Sequence, residues 1–353
     1  MRRRALLLAA VAAPAFGEIR RGRAFAFPRD HGAHLEARTE WWYATGWTGT
    51  PEAPRCGFQL TFFRSRTGLA EDLPGRFAAR HLLFAHAAVT DLQARRHRHA
   101  QRIARWSGQR DSALAFASTE DAELRLADWS FVREGGRYRT RLPAADFALD
   151  LQLTPAQPPM LQGDAGFSRK GPLESQASHY YSEPQLAVAG ALDLAGTPLA
   201  ATGRAWLDRE WSDSYLAPEA VGWDWVGFNL FDGSALMAFR VRRADGSTLW
   251  AGGGWRAAGS TVRDFAPAEV TFTPGRRWTS PATQAAYPVE WTLATPAGRF
   301  GVRSLLDAQE LDSRANTGAV YWEGLSELVD AAGRRVGLGY LEMTGYAAKL
   351  RMG

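Results

Sequence analysis

Apolar and polar residues alternate with a period of two along most of this sequence, and that spacing fits antiparallel β-sheet with one face buried. Phe58, Leu60 and Phe62 alternate with Gln59 and Thr61, Val270 and Phe272 with Thr271 and Thr273, and Val289, Trp291 and Leu293 with Glu290 and Thr292. Between such runs lie Gly135-Gly136, Asp232-Gly233, Asp245-Gly246, Pro296-Ala297-Gly298 and Ala332-Gly333, each suited to a hairpin turn. The expected class is therefore all-β, a meander of antiparallel strands. At 353 residues and 46% hydrophobic, the chain can fill two cores. One strand per roughly 8–12 residues supplies about eight strands for each of two barrels. A turn-rich stretch at 195–203 predicts the boundary, giving a first domain at 24–200 and a second at 201–353. The longest stretch without alternation, 163–184, reads as a loop, either functional or a plain surface connection.

The chain opens on Met1 and three arginines, Arg2 to Arg4, followed by an apolar run at 5–13 and then Pro14, Ala15, Phe16 and Gly17. This order of charge, apolar core and small residues predicts a secretory signal over residues 1–17, too short to span a bilayer, and hence a periplasmic or secreted protein. With Arg3-Arg4 followed by Ala5, Leu6 and Leu7, a twin-arginine route is one option. Cleavage would remove three arginines from a formal net charge of +5, so the basic balance gives no reason to expect nucleic acid as a partner. The run Arg95-Arg96-His97-Arg98-His99 reads as a solvated hairpin tip. Cys56 is the single cysteine, which excludes an intramolecular disulfide, and its neighbours Phe58, Leu60 and Phe62 place it on a buried strand. The seven histidines show no metal-ligand spacing, so neither a metal nor a cofactor is expected.

Further motifs follow one another in a fixed order. They are Glu40-Trp41-Trp42-Tyr43, Phe84-Ala85-His86-Ala87-Ala88-Val89-Thr90-Asp91, Tyr180-Tyr181-Ser182, Trp206-Leu207-Asp208-Arg209-Glu210-Trp211, Gly222-Trp223-Asp224-Trp225, Tyr321-Trp322-Glu323-Gly324, and Gly339-Tyr340-Leu341-Glu342-Met343-Thr344-Gly345-Tyr346. Together they resemble the AttH and carotenoid 1,2-hydratase family of lipocalin-like proteins, over nearly everything after about Phe25. The resemblance implies two lipocalin-like antiparallel β-barrels packed together. It implies a range of functions, from hydration of carotenoids and other isoprenoid-bearing molecules to cyclisation. One departure matters: where the carotenoid hydratases carry a His two residues before the Trp of the 206–211 strand, this chain has Arg209. Their proton-donating Asp would fall in Ala235-Leu236-Met237-Ala238-Phe239, which contains no acid.

Hydrating an alkene requires a proton donor, shelter for a tertiary carbocation, and water. A carboxyl whose pKa is raised by an apolar pocket can donate, and aromatic faces stabilise cations. Both types are interleaved between Trp206 and Trp225, where Asp208, Glu210, Asp213 and Asp224 alternate with Trp206, Trp211, Trp223 and Trp225. On an extended strand Asp208 and Glu210 share a face. If that face is the barrel interior, mutual repulsion raises one pKa and leaves a donor beside a base. The alternative pairs these acids with Arg209 or another arginine where the barrels meet. Candidate catalytic residues are Asp208, Glu210, Asp213 and Trp211, the last as cation stabiliser. Candidate ligand contacts are Trp41, Trp42, Tyr43, His86, Tyr180, Tyr181, Trp223, Trp225, Tyr321 and Glu323. His86 is a core histidine or a base, and Glu323 and Glu342 are buried acids that a tyrosine could satisfy without catalysis. A serine hydrolase is the obvious enzymatic rival, but the absence of a G-x-S-x-G elbow argues against it. The leading expectation is an exported protein holding an apolar, isoprenoid or lipid-like small molecule in a barrel cavity. The alternatives are a cofactor-free hydro-lyase or isomerase, and an accessory partner of a membrane transporter.

Overall fold

The structure, a computed structural model, describes residues 19–110, 114–214 and 216–350; the expected signal at 1–17 lies outside them. Apart from two 3-10 turns, the regular elements among these residues are all strands. They form a thirteen-stranded sheet, a ten-stranded sheet and a two-stranded ribbon. Every strand pairing is antiparallel, and the two large sheets are the two lipocalin-like barrels.

The first sheet runs from Arg96–Trp106 through His81–Asp91, Pro54–Arg66 and Thr39–Gly49. It continues through Thr197–Ser212, Ala177–Leu194 and Phe147–Thr154 to short strands ending at Ala115–Ala117. Its curl nearly closes: Trp106, on one end strand, meets Phe116, on the other, edge to face at 6.1 Å. The inside is filled by Trp42, Phe58, Leu60, Phe62, Leu149 and their neighbours, with Cys56 among them. This barrel therefore has a packed core rather than an open lumen. The second sheet starts at Arg263–Phe265, passes through Ala235–Arg243, Ala220–Leu230, Arg335–Thr344 and Ala319–Val329, and ends at Thr271–Pro274. Phe228, Leu236, Tyr287, Trp291, Leu293 and Trp322 fill its interior.

Strict alternation gives way where a strand has both faces covered. In Thr39–Gly49, Trp42 and Ala44 enter the first core while Tyr43 and Trp47 belong to a separate cluster between the barrels, and the strand is buried almost throughout. Cross-barrel hydrogen bonds fix the docking. Gln185 N donates to Asn229 Oδ1 (2.7 Å), Asn229 Nδ2 donates to Ala205 O (3.0 Å), and Thr90 Oγ1 donates to Gln309 Oε1 (2.8 Å). Gln185 reaches across because it sits at positive φ (59°) in a bulge that breaks the register between Glu183 and Leu186.

Three sequence expectations need adjustment. The boundary near residue 200 falls just past the tip of the hairpin joining Ala177–Leu194 to Thr197–Ser212, and both strands belong to the first sheet. The chain changes sheet only between Ser212 and Ala220. The stretch 163–184 is only partly loop: it holds Phe167–Arg169 and the first half of the Ala177–Leu194 strand, whose two buried faces erase the alternation. The basic run at 95–99 leaves the hairpin tip at Arg95 and continues into Arg96–Trp106, where His97 Nδ1 lies 2.9 Å from Thr90 Oγ1.

Candidate active site

A cavity of about 350 Å³ lies between the barrels, walled by the outer faces of both sheets. The expected location inside a barrel is thereby corrected, because both interiors are occupied by core side chains. From the first sheet the cavity receives Trp41 and Tyr43, Phe63, His86, Tyr180, and Asp208 and Glu210. From the second it receives Trp223 and Trp225, Phe239, Tyr321 and Glu323, and Glu342. The register brings them together: Tyr43 stands opposite Asp208, Trp41 and Tyr180 flank Glu210, and Glu323 stands opposite Glu342 on paired strands. Gly227 helps to shape the wall, since a β-carbon there would collide with the Trp225 ring.

Asp208 accepts hydrogen bonds from Tyr180 OH (2.6 Å), Ser182 Oγ (2.5 Å) and Trp206 Nε1 (2.7 Å). Burial outweighs these donors and raises its pKa to about 7. Glu210 is paired with Lys170 (2.9 Å) and accepts a hydrogen bond from Ser178. The Lys170 ammonium lies 4.5 Å from the centre of the Tyr180 ring and 4.4 Å from that of Phe239. Burial pushes Glu323 well above the usual carboxylate range, with the facing Glu342 adding to the shift. Burial likewise raises Glu342 to about 8, with the charges of Asp208 and Glu210 behind it. Two like acids opposite each other in an apolar cavity cannot both ionise cheaply, so protons remain on them at neutral pH.

Two polar atoms in this wall stand unsatisfied. Tyr43 OH and Glu323 Oε1 are buried without a hydrogen bond of normal distance and angle, and the Tyr43 hydroxyl interacts with the Glu323 carboxyl only at poorer geometry. Buried polar groups are seldom left unpaired, and here they border a space large enough for a small molecule.

The structure thus gathers Asp208, Glu210, Trp41, Tyr43, His86, Tyr180, Trp223, Trp225, Tyr321 and Glu323 around one cavity. His86 bolts the barrels together there. Its Nδ1 lies 2.6 Å from Tyr321 OH and its Nε2 2.9 Å from Ser313 Oγ, and burial lowers its pKa to about 3, so the ring is neutral. Four other candidates lie elsewhere. Trp42 is in the first core, its Nε1 donating to His31 O (2.7 Å). Tyr181 faces away from Tyr180, with its hydroxyl 2.6 Å from His31 Nδ1. Asp213, beyond the strand, accepts from the Arg38 backbone N–H (2.9 Å). Trp211 stacks on His34 with ring centres 3.7 Å apart, beside Arg209. Since Trp211 does not border the cavity, Trp211→Phe is expected to cost about 1–3 kcal/mol of stability without altering ligand affinity, which denaturant titration and Trp-quench binding curves would separate. Asp224 is also structural, held between Arg240 (2.7 Å) and Arg242 (2.9 Å).

Sequence reasoning left Glu342 and Lys170 outside the candidate set. The signal for Glu342 was the Ala332-Gly333 turn, because pairing the strands about it sets Glu342 against Glu323. No local pattern marks Lys170, which reaches the cavity from the 163–176 region through tertiary folding.

Two packed barrels with an acid- and aromatic-walled cavity between them define a lipocalin-like protein of the two-barrel class. Within that class the chain belongs to the AttH-like family, whose pattern matches residues 18–346. It is similar to a Nitrosomonas europaea protein assigned to AttH, at 48% identity over 94% of this chain and 100% of that one, with a TM-score of 0.85. It shares its fold with kievitone hydratase from Nectria haematococca at 15% identity (TM-score 0.67, 92% of this chain and 94% of that one). It also shares it with CghA at 13% identity (TM-score 0.55, 90% of each chain). A comparison with curated proteins finds no match.

Proposed function

We propose that the cavity between the barrels binds an apolar, alkene-bearing small molecule of isoprenoid type and hydrates it without a cofactor. The observation that carries this reading is the Glu323–Glu342 pair, two carboxyls facing each other in an apolar cavity and therefore protonated near neutrality. Glu342 gives its proton to one alkene carbon and becomes a carboxylate. The tertiary cation formed on the other carbon is sheltered by the faces of Trp223, Trp225 and Trp41. Water adds to that cation and loses a proton to Asp208, so that alkene and water become a tertiary alcohol. Asp208, at about 7, is partly ionised near neutrality and Glu342, at about 8, is mostly protonated, so a base and an acid are both present. The kievitone hydratase and CghA neighbours support only the fold on which this chemistry is placed.

The test is incubation of the purified chain with farnesol and geranylgeraniol in H₂¹⁸O, followed by mass spectrometry. One ¹⁸O atom gained per hydrated alkene supports the proposal; no gain with either probe counts against it. The alkaline limb has a definite sign. Glu342 donates only when protonated, so kcat is expected to fall as pH rises through about 8. A pH profile flat from 6 to 10 would remove Glu342 as donor.

We further propose that the arginine-led segment at 1–17 directs export. Full-length protein found wholly in the cytoplasmic fraction of a bacterial host, unprocessed at its N-terminus, would contradict this.

A further inference from the structure

We propose that the cavity between the barrels is a receptor for organic monocations, taking a trialkylammonium group flanked by apolar substituents in preference to its neutral isostere. From the hydration reading it borrows only the location of the site. It would stand if no alkene were ever hydrated.

The argument begins with uneven charge. Among the described residues, four carboxyls, those of Asp208, Glu210, Glu323 and Glu342, border the cavity, against one ammonium, that of Lys170. Lys170 is committed to Glu210 at 2.9 Å, which leaves three acids without a cationic partner in the wall. The other titratable groups facing them add no positive charge: His86 is neutral, and Tyr43, Tyr180 and Tyr321 keep their protons because burial raises each of them. Without a cation beside them, burial in a space this apolar holds all three above the usual carboxylate range.

The second observation is independent of the acids. Trp41, Trp223, Trp225, Phe239 and Tyr321 present aromatic surface to the same space. Trp225 meets Tyr43 edge to face (5.5 Å between ring centres) and lies 6.3 Å from Trp206, so its position is held by packing. Rings so placed attract alkylated ammonium groups through their quadrupoles, more strongly when water is excluded. The third is the unsatisfied pair, Tyr43 OH and Glu323 Oε1, each nine-tenths buried or more and bordering the cavity. A cation near Glu323 would satisfy the carboxylate with its field while its alkyl groups met the rings. Apolar ligands could fill the same volume but would bring no charge to the acids.

Binding of a cation should therefore ionise part of the acid cluster and release protons. The wild-type chain is titrated with phenyltrimethylammonium and with tert-butylbenzene, which match in shape and differ in charge. Trp fluorescence reports affinity, and calorimetry in phosphate and in Tris reports proton release. The expected result is an ammonium affinity at least tenfold above the neutral isostere at pH 8, with a heat that differs between the buffers in proportion to protons released. Preference for the cation should weaken as pH falls to 6, because the cation then competes with a higher proton activity for the carboxylates. In the Glu323→Gln/Glu342→Gln double variant the preference should shrink towards unity while tert-butylbenzene still binds, which shows that the cavity is intact. Equal or tighter binding of tert-butylbenzene to the wild type would overturn the proposal, as would unchanged cation preference in a double variant that still binds tert-butylbenzene. Hydration of farnesol without cation preference would overturn this inference and leave the hydration reading standing. Cation preference without hydration of any alkene would do the reverse.

Discussion

Glu342→Gln is expected to lower kcat for alkene hydration by about 10²–10⁴-fold, the range that a positioned general acid contributes. Glutamine preserves the shape of the side chain and its place opposite Glu323 but has no proton to give. The variant should fold at least as well as the wild type, because an amide is neutral like the protonated carboxyl it replaces and removes the cost of ever ionising it. Activity and stability thus move in different directions, which a merely structural role for Glu342 would not produce. Burial raises both carboxyls of the pair, and Glu323→Gln, which leaves the Glu342 proton in place, is expected to act differently. The Glu342 shift comes from burial and from the charges of Asp208 and Glu210, so in Glu323→Gln the alkaline limb of the kcat profile should stay near pH 8. Steady-state rates over pH 6–10 for both variants, beside denaturant midpoints, test this. Native kcat in Glu342→Gln would exclude Glu342 as the donor.

Much of this arrangement was legible beforehand, and particular residues show where legibility ended. Asp208 and Glu210 share a face because side chains alternate along a strand, and both border the cavity. The sign of that face was not local information: it points out of the first barrel, because Leu207 enters the first core while Trp206 and Tyr180 join the cluster between the barrels. A single sequence tells which residues share a face, but which face lies inside depends on strands more than a hundred residues distant. Trp211 shows the same limit from the other side. It follows Glu210 directly, hence faces away, and its ring is claimed by His34 and Arg209. The turn at Ala195-Gly196 looked like a linker because a tight hairpin and an interdomain connection use the same small residues. Had it been read as a hairpin, the pairing of Tyr180 with Glu210 would have followed to within the one-residue shift of the Glu183–Leu186 bulge.

Behind the cavity-facing strands lies the other large expected effect, the loss of about 3–5 kcal/mol of folding free energy on Glu40→Gln. Glu40, Arg64 and Arg209 are each fully buried, and the carboxylate is the counter-charge for both guanidinium groups. The arginines have further partners. Arg64 donates to His34 O and Ala37 O (2.7 Å each), and Arg209 lies 3.9 Å from the centre of the Trp42 ring. Those partners are carbonyls and π-faces, which orient a cation without neutralising it. Removing the one carboxylate leaves two buried positive charges, the circumstance in which breaking a buried pair costs most. Replacing the trio together, as Glu40→Met/Arg64→Met/Arg209→Met, should recover much of the loss, because apolar side chains of similar volume need no counter-charge. The pH dependence has a fixed sign. Burial alone would raise Glu40, but the two arginines hold it well below the usual carboxylate range. Its contribution is therefore complete above the unfolded value of about 4.3 and is lost as pH falls through the folded value. Wild type should lose stability between pH 5 and 2, and Glu40→Gln should lose less over that interval because its penalty is already present at pH 7. Urea denaturation at pH 7 and pH 3 for the wild type, the single variant and the triple variant measures each quantity. A Glu40→Gln cost under 1 kcal/mol would mean that water or neighbouring dipoles already screen the two arginines.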